Sequence, residues 1–464
     1  MSKLNDLTQG SIIQKLLMIA VPILLTTISQ MAYNLTDMFW IGRVDQIGLI
    51  EGEAISAIGT ASYITWFAFG LILVAKIGTS VKVAHSVGEK NWDKLQKVAN
   101  NGLFLELCLG IFFSIIIFFL RRPILSIFNI QSAQVIEYAM NYLAIVGGLL
   151  VFQFVSSGFS AVNEGLGKTK TNFKIMLVGL ILNMILDPLF ILVFRLGVSG
   201  AAIATVIAQA VTMIIFFCHY RFASHRMFQL QRNHLSLKMI GDIIRIGLPA
   251  GVQSMFFTSI SIFIARMVFV YGEFVVAAQR VGTQVEQLTW MISGGFATAL
   301  TVFVGQNFGA GQDQRIKKGF AIMSAILLPY ALMIALLLRF FPEFLMGIFV
   351  DDPVTKNYGI AYLRIISICQ VFMMMEAIGT GFFNGIGKTY ISSIIGIGGN
   401  LLRIPFLFWL TKSMAEEGIW WALNLSDITK GLILYFGAII GFTQLDRFRQ
   451  RKNVDLAIQI QESI

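Results

Sequence analysis

Apolar residues run on for about twenty positions at a time along most of this chain, with short polar stretches between the runs. The runs are continuous and lack the period-two alternation of a membrane β-barrel, so each predicts a helix. They predict about twelve spans, near residues 12–41, 54–84, 95–120, 134–161, 173–194, 200–221, 242–271, 276–305, 318–341, 356–384, 390–411 and 419–442. The expected fold class is an all-α polytopic membrane protein with twelve transmembrane helices. Polar residues Ser2 to Gly10 lead into a first run too long for the core of a secretion signal, so no cleavable leader is expected.

Charge changes the picture in one respect. Lys and Arg gather in alternate loops: Lys90, Lys94 and Lys97; Lys168, Lys170 and Lys174; Arg221, Arg226, Arg232 and Lys238; Arg315, Lys317 and Lys318; and the tail from Arg447 to Lys452. The opposite loops hold Asp45, Glu51, Glu53, Glu343, Asp351 and Asp352, with Arg121 and Arg122 the exceptions. Positive loops stay cytoplasmic, so both termini are expected there. A net charge of +10 therefore describes membrane orientation, and nucleic acid is not an expected partner. Composition agrees: 56% of residues are hydrophobic, 13% are charged and mean hydropathy is +0.76, against roughly 25% charged in soluble domains. Cys108, Cys218 and Cys369 are scattered through apolar runs and read as small packing residues.

The chain repeats itself. Gly165-Leu-Gly-Lys-Thr169 recurs as Gly385-Ile-Gly-Lys-Thr389, an offset of 388 − 168 = 220. Asn183 to Pro188 (NMILDP) has a partner in Asn400 to Pro405 (NLLRIP), and Pro22 in IAVP pairs with Pro249 in IGLP. Two parallel six-helix halves follow. The expected boundaries are an N-terminal lobe 1–221, a basic linker 222–240 lying on the cytoplasmic surface, a C-terminal lobe 241–442 and a cytoplasmic tail 443–464. The Gly-Leu-Gly-Lys-Thr copies lack the first glycine of a nucleotide-binding loop, since Val162 and Phe382 stand there, and they read as turns between helices.

The chemistry lies where polar groups interrupt the apolar runs. Asp37 sits inside the first run, about four turns after the helix-bending Pro22, with Tyr33, Asn34 and Thr36 around it. A carboxylate in hydrocarbon costs roughly 2.5–3.5 kcal/mol on insertion scales, so it is expected to face a cavity. Asn183 and Asp187, four apart, share a face of the fifth span, and Pro188 frees nearby carbonyls. These are oxygen ligands for a hard cation, or a site for a proton. Thr205 in the sixth span could reach the same cavity, although a membrane threonine usually bonds its own backbone. The second half carries Arg266, Glu286, Glu376 and Arg403 as buried charges, with Glu376 and Arg403 expected to pair or, alternatively, Glu286 or Glu376 to line a substrate path. Lys76 and Lys82 are expected to snorkel. No enzyme constellation appears.

Together, Asn34-Leu-Thr-Asp37 after Pro22, NMILDP, GAAIAT in the sixth span, VGQNFGAG after the eighth and RIP in the eleventh resemble multidrug and toxic compound extrusion (MATE) transporters of prokaryotic type, over essentially the whole chain. That resemblance implies two pseudo-symmetric six-helix bundles in a V and antiport of organic compounds against Na⁺ or H⁺ as coupling ion. It implies a cation site at Asp37, Asn183, Asp187 and Thr205 with Tyr33 nearby, open to Na⁺, and bending of the first helix at Pro22. Glu376, Arg403, Glu286 and Gln153 are then substrate-pathway candidates. The expected protein is a monomeric efflux antiporter of the inner (cytoplasmic) membrane, not an enzyme, whose partners are a small organic molecule and the lipid bilayer. A flippase for lipid-linked sugars is the nearest rival, and it would need several central cations where Arg266 and Arg403 are the only candidates. A lipid-modifying enzyme is the more distant rival.

Overall fold

A computed structural model describes residues 6–47, 50–128, 130, 132–222 and 235–449 of the 464-residue chain. The expected linker falls largely on residues 223–234 and most of the tail on 450–464, outside the described residues. Those described are almost wholly helical, with no strand among them. In order the helices are α1 (Ile12–Ile41), α2 (Glu51–Gly88), α3 (Trp92–Ser126), α4 (Ala133–Tyr142), α5 (Val151–Gly165), α6 (Thr169–Pro188), α7 (Gly197–Phe222), α8 (Leu237–Phe269), α9 (Glu273–Gly309), α10 (Asp313–Phe340), the short α11 (Pro342–Gly347), α12 (Pro353–Ile366), α13 (Gln370–Gly385) and α14 (Thr389–Gly441).

Ten of these segments are long and apolar enough to cross a membrane, and the α4–α5 pair, bent by 44°, makes an eleventh. The twelfth is hidden in α14. Its 53 residues would span roughly 80 Å as one rod, against about 30 Å of hydrocarbon. At Ala415 the backbone turns to φ 50, ψ −130, which divides it into two spans. A Cβ on Gly418 would stand 2.6 Å from the Leu410 carbonyl carbon, so the second span can start that close to the first only from a glycine. Other helices also run past the expected ends, α2 beginning at Glu51 and α3 at Trp92.

The chain divides into two compact units, Leu17–Thr258 with Asp6 and Leu7 in one, and Thr8–Leu16 with residues 259–449 in the other. In the first, α2 packs on α3 and α5, and α6 on α7. Alanines at 54, 57, 61 and 68 give α2 a flat face against Phe113, Ile117 and Phe154. In the second, α13 packs on α9 and α14 around Tyr362, Met373, Leu407 and Trp420. Phe112, Ile115 and Phe119 of α3 point outward, as lipid-facing positions do.

The repeated motifs close as near-identical turns. Gly167 and Gly387 take φ 71 and 79. Gly167 N–H donates to Glu164 O at 2.8 Å and Lys168 N–H to Asn163 O at 2.7 Å, where the copy has Gly387 to Asn384 at 2.9 Å and Lys388 to Phe383 at 2.8 Å. The left-handed glycine lets each helix end and the next begin at once.

Some expectations need correction. Lys76 and Lys82 do not snorkel freely; they pair with Glu164 at 3.0 Å and with Asp242. Arg266 is exposed and not buried. Cys108 and Cys218 are exposed as well, and only Cys369 packs inside.

Candidate functional site

Asp187 ends the regular part of α6, and Pro188 follows with no N–H to continue the ladder. The next residues, Leu189–Val193, widen into a π-helical turn. A second π turn, Leu143–Gly147, follows Tyr142 of α4. Such turns expose backbone that a regular helix would hide and are frequent at functional sites.

The side chains around Asp187 come from four helices of the first unit. Asn183 Nδ2, one turn earlier, donates to Asp187 Oδ1 at 3.0 Å, and both residues are fully buried. The Asp37 carboxyl, from α1, stands close to Asp187 and Asn183. Tyr33, one turn before it, faces Thr205 of α7, and the Tyr142 ring stands near both acids. The five residues that sequence spacing and resemblance selected are thus brought together.

The bonds these groups do not make define the site. Tyr33 Oη, Asp37 Oδ1, Asn183 Oδ1, Asp187 Oδ2 and Thr205 Oγ1 are all buried without a hydrogen-bond partner. Thr26, Thr27, Thr36 and Thr212 each donate to the carbonyl four residues back, at 2.8–3.0 Å. Thr205 does not, so its oxygen is available, whereas Thr36, expected beside the acid, is occupied by its own backbone. Buried polar atoms are normally satisfied, so five bare oxygens at one place suit a bound cation or a proton. Among the described residues there is no group of three or more His, Cys, Asp or Glu that could hold a metal, and the donor set here is two carboxyls with amide, hydroxyl and phenol oxygens.

The remaining candidates fall elsewhere. Pro22 lies inside a continuous α1, and its carbonyl accepts from Thr26 Oγ1 at 2.8 Å. Gln153 is half-buried on α5. Glu286 accepts from Tyr362 Oη at 3.0 Å and lies 3.4 Å from Gln370 Nε2. Glu376 and Arg403 do not pair directly. Arg403 binds Asp427 at 2.8 Å, Asp427 binds Lys430 at 2.8 Å, and Lys430 binds Glu376 at 3.2 Å. Two acids and two bases leave this cluster balanced. Sequence reasoning missed Asp427, Lys430 and Tyr142. The first two are charged residues four or fewer positions apart in the last apolar run, which was a signal of an internal cluster. A cavity of about 410 Å³ between α3, α5 and α7, lined by Leu103, Phe104, Phe159 and Phe217, is apolar and includes none of these candidates.

The sequence model of the MatE family matches residues 22–189 and again 249–409, so its two copies begin at the paired prolines. The probable multidrug resistance protein YpnP of Bacillus subtilis is 26% identical over 433 residues, covering 91% of this chain and 94% of that protein. The probable multidrug resistance protein NorM of Thermotoga maritima is 25% identical over 418 residues, 86% of each. A FAD transporter of Shewanella oneidensis is 24% identical over 450 residues, 93% of this chain and 95% of its own. A multidrug resistance MATE family transporter solved in an outward-facing conformation superposes with a TM-score of 0.88 at 20% identity, covering 96% of this chain and 99% of that one.

Proposed function

The chain belongs to the MatE family of multidrug efflux transporters, multi-pass membrane proteins and not enzymes, and from that premise we propose that it is an antiporter exporting amphipathic organic cations. Na⁺ or H⁺ is the exchanged ion, held between Asp37 and Asp187. One observation carries this reading: five buried oxygens without partners, two of them on the carboxyl groups of Asp37 and Asp187, gather at one place, and no cationic side chain among the described residues pairs with either acid. Two such carboxylates repel each other and are poorly solvated, so a proton or a small cation between them removes both penalties.

Coupling follows if occupancy differs between two conformations of the protein, since only a ligand with unequal affinity for them can drive the exchange. Asp37 stands on α1 fifteen residues after Pro22 (37 − 22), so a change of the helix at Pro22 would move Asp37 relative to Asp187 and alter that affinity. Asn183 and Thr205 complete the ligand set, and Tyr33 closes it. The distribution of Lys and Arg among the loops favours both termini on the cytoplasmic side of a bacterial inner membrane. The two compact units are read as two six-helix lobes, with 222–240 between them.

A flippase reading loses its cationic candidates, because Arg403 and Lys430 are bound to Asp427 and Arg266 is exposed. The deciding experiment uses purified protein in liposomes loaded with a fluorescent organic cation, with Na⁺ and pH gradients imposed separately. One gradient drives efflux, and Asp37→Asn abolishes that response while the protein remains folded. Efflux that is unchanged in Asp37→Asn would refute the site.

A further inference from the structure

A second group of charged side chains lies inside the first unit, apart from Asp37 and Asp187. Lys76 of α2 points its Nζ at Glu164 Oε1 of α5, 3.0 Å away. Glu164 also accepts from Ser160 Oγ at 3.1 Å, and Asn172 Nδ2 of α6 donates to that Ser160 oxygen at 2.6 Å. Glu164 is therefore well supplied with donors.

Glu106 of α3 is not. It is fully buried, and neither carboxyl oxygen has a hydrogen-bond partner. The cationic group in electrostatic range of it is the same Lys76. The α5 backbone closes over its stem, where a Cβ on Gly158 would stand 3.1 Å from Glu106 Cγ. Thr79, one turn after Lys76 on α2, is another buried hydroxyl without a partner. Glu106 interrupts the run LFLELCLGIF just as Asp37 interrupts the first span.

Two buried acids thus share one ammonium. The contrast with the second unit is informative, since Glu376 and Asp427 there are matched by Arg403 and Lys430. An unpaired carboxylate in such surroundings is strongly disfavoured, so the surplus negative charge must be held by a proton or a cation. A metal cation would need several oxygen ligands, and Glu106 offers two.

We propose that Glu106 is a second proton-binding site of this transporter, exchanging its proton against the Lys76–Glu164 ion pair. With the proton on Glu106, Lys76 stays with Glu164. When the proton leaves, the Glu106 carboxylate recruits the Lys76 ammonium, and Glu164 falls back on Ser160. The site changes by one unit of charge, the charge of the proton lost. The charged groups facing it are Lys76 from α2 and, through Lys76, Glu164 from α5. This does not depend on the role of Asp37 and Asp187.

The test is infrared spectroscopy of the purified protein in lipid, following the protonated-carboxyl band across pH. Glu106→Gln removes one titrating carboxyl. Glu164→Gln frees Lys76 for Glu106 and lowers the midpoint of that band by about one pH unit or more, a tenfold or greater loss of proton affinity. The part of the band that Glu106→Gln removes is the same in an Asp37→Asn background, which separates this site from the first. Spectra of Glu106→Gln that superimpose on wild type at every pH would overturn the proposal. Should that variant fail to fold, an unmoved midpoint in Glu164→Gln would overturn it equally.

Discussion

Asn183 donates its amide N–H to Asp187 Oδ1 at 3.0 Å across one turn of α6. That bond fixes which atoms face the cluster, leaving Asn183 Oδ1 and Asp187 Oδ2 both without partners. Asn183 thus serves twice, as a ligand and as the group that aims the neighbouring acid. The near-isosteric Asn183→Leu removes both roles. A hydrogen bond to a charged group contributes about 1.5–3 kcal/mol, so the cation concentration for half-maximal efflux should rise about tenfold or more. Efflux from liposomes at graded Na⁺ or pH measures this, and a half-maximal concentration equal to wild type would count against the ligand set.

The balanced cluster of the second unit makes a different prediction. Asp427 binds Arg403 and Lys430, each at 2.8 Å, with all three side chains nearly inaccessible. Asp427→Asn leaves two buried cations to one acid, Glu376. Breaking a buried pair costs about 3–5 kcal/mol, because the surviving charge cannot reach water. The thermal midpoint of the purified protein should therefore fall sharply. Adding Arg403→Leu should recover part of the loss, since the charges balance again. A double variant no more stable than Asp427→Asn alone would show that packing, and not charge balance, dominates there.

A third prediction follows from comparing the two halves at their α2–α3 and α9–α10 turns. Lys90 N–H donates to Val87 O at 3.0 Å and Asn91 N–H to Ser86 O at 3.0 Å; in the copy, Gly311 donates to Phe308 at 3.2 Å and Gln312 to Asn307 at 2.9 Å. The backbone is the same, and φ is positive in both, 55 at Lys90 and 72 at Gly311. A side chain in this region costs roughly 1–2 kcal/mol, offset by the roughly 0.5–1 kcal/mol of extra chain freedom that glycine loses on folding. Lys90→Gly should therefore stabilise the protein by up to about 1 kcal/mol, seen as a rise of a degree or more in the thermal midpoint. A lowered midpoint would mean that the exposed Lys90 side chain makes a contribution larger than the strain.

Much of this was legible in the sequence, for identifiable reasons. Continuous apolar runs identify membrane helices by length alone, and the repeated turns could be found because a left-handed glycine is hard to replace. Asn183 and Asp187 could be paired by their spacing. That Asp37 meets them could not be deduced from spacing, because the approach of α1 to α6 is tertiary; there the family resemblance supplied the link. Glu106 carries the same signal as Asp37, an acid within an apolar run, but without a polar neighbour as close in sequence as Asn34 and Thr36 are to Asp37. Asp427 and Lys430 fall within the last apolar run, whose length alone predicts a span. Arg403, the partner of Asp427, lies on the other side of the break at Ala415, which brings positions 24 residues apart (427 − 403) onto facing helices.

Acid should weaken one defined point outside the membrane spans. Asp352 precedes α12, with Pro353 as its first residue, and its Oδ2 accepts the Thr355 N–H at 2.7 Å. The Thr355 backbone bond, helped by the Thr355 side chain and the Val354 N–H, holds this carboxyl below the usual carboxylate range. A group with a depressed folded value contributes stability that is fully present above its unfolded value, near 3.9, and is lost as pH falls through the folded one. Asp352→Asn keeps an acceptor at the cap but cannot ionise, so it forgoes the favourable charge at the helix N-terminus. The thermal midpoint of the wild type should then exceed that of Asp352→Asn at neutral pH, with the gap closing as pH drops below about 4. A gap that stays constant with pH would assign the difference to cap geometry and not to the charge.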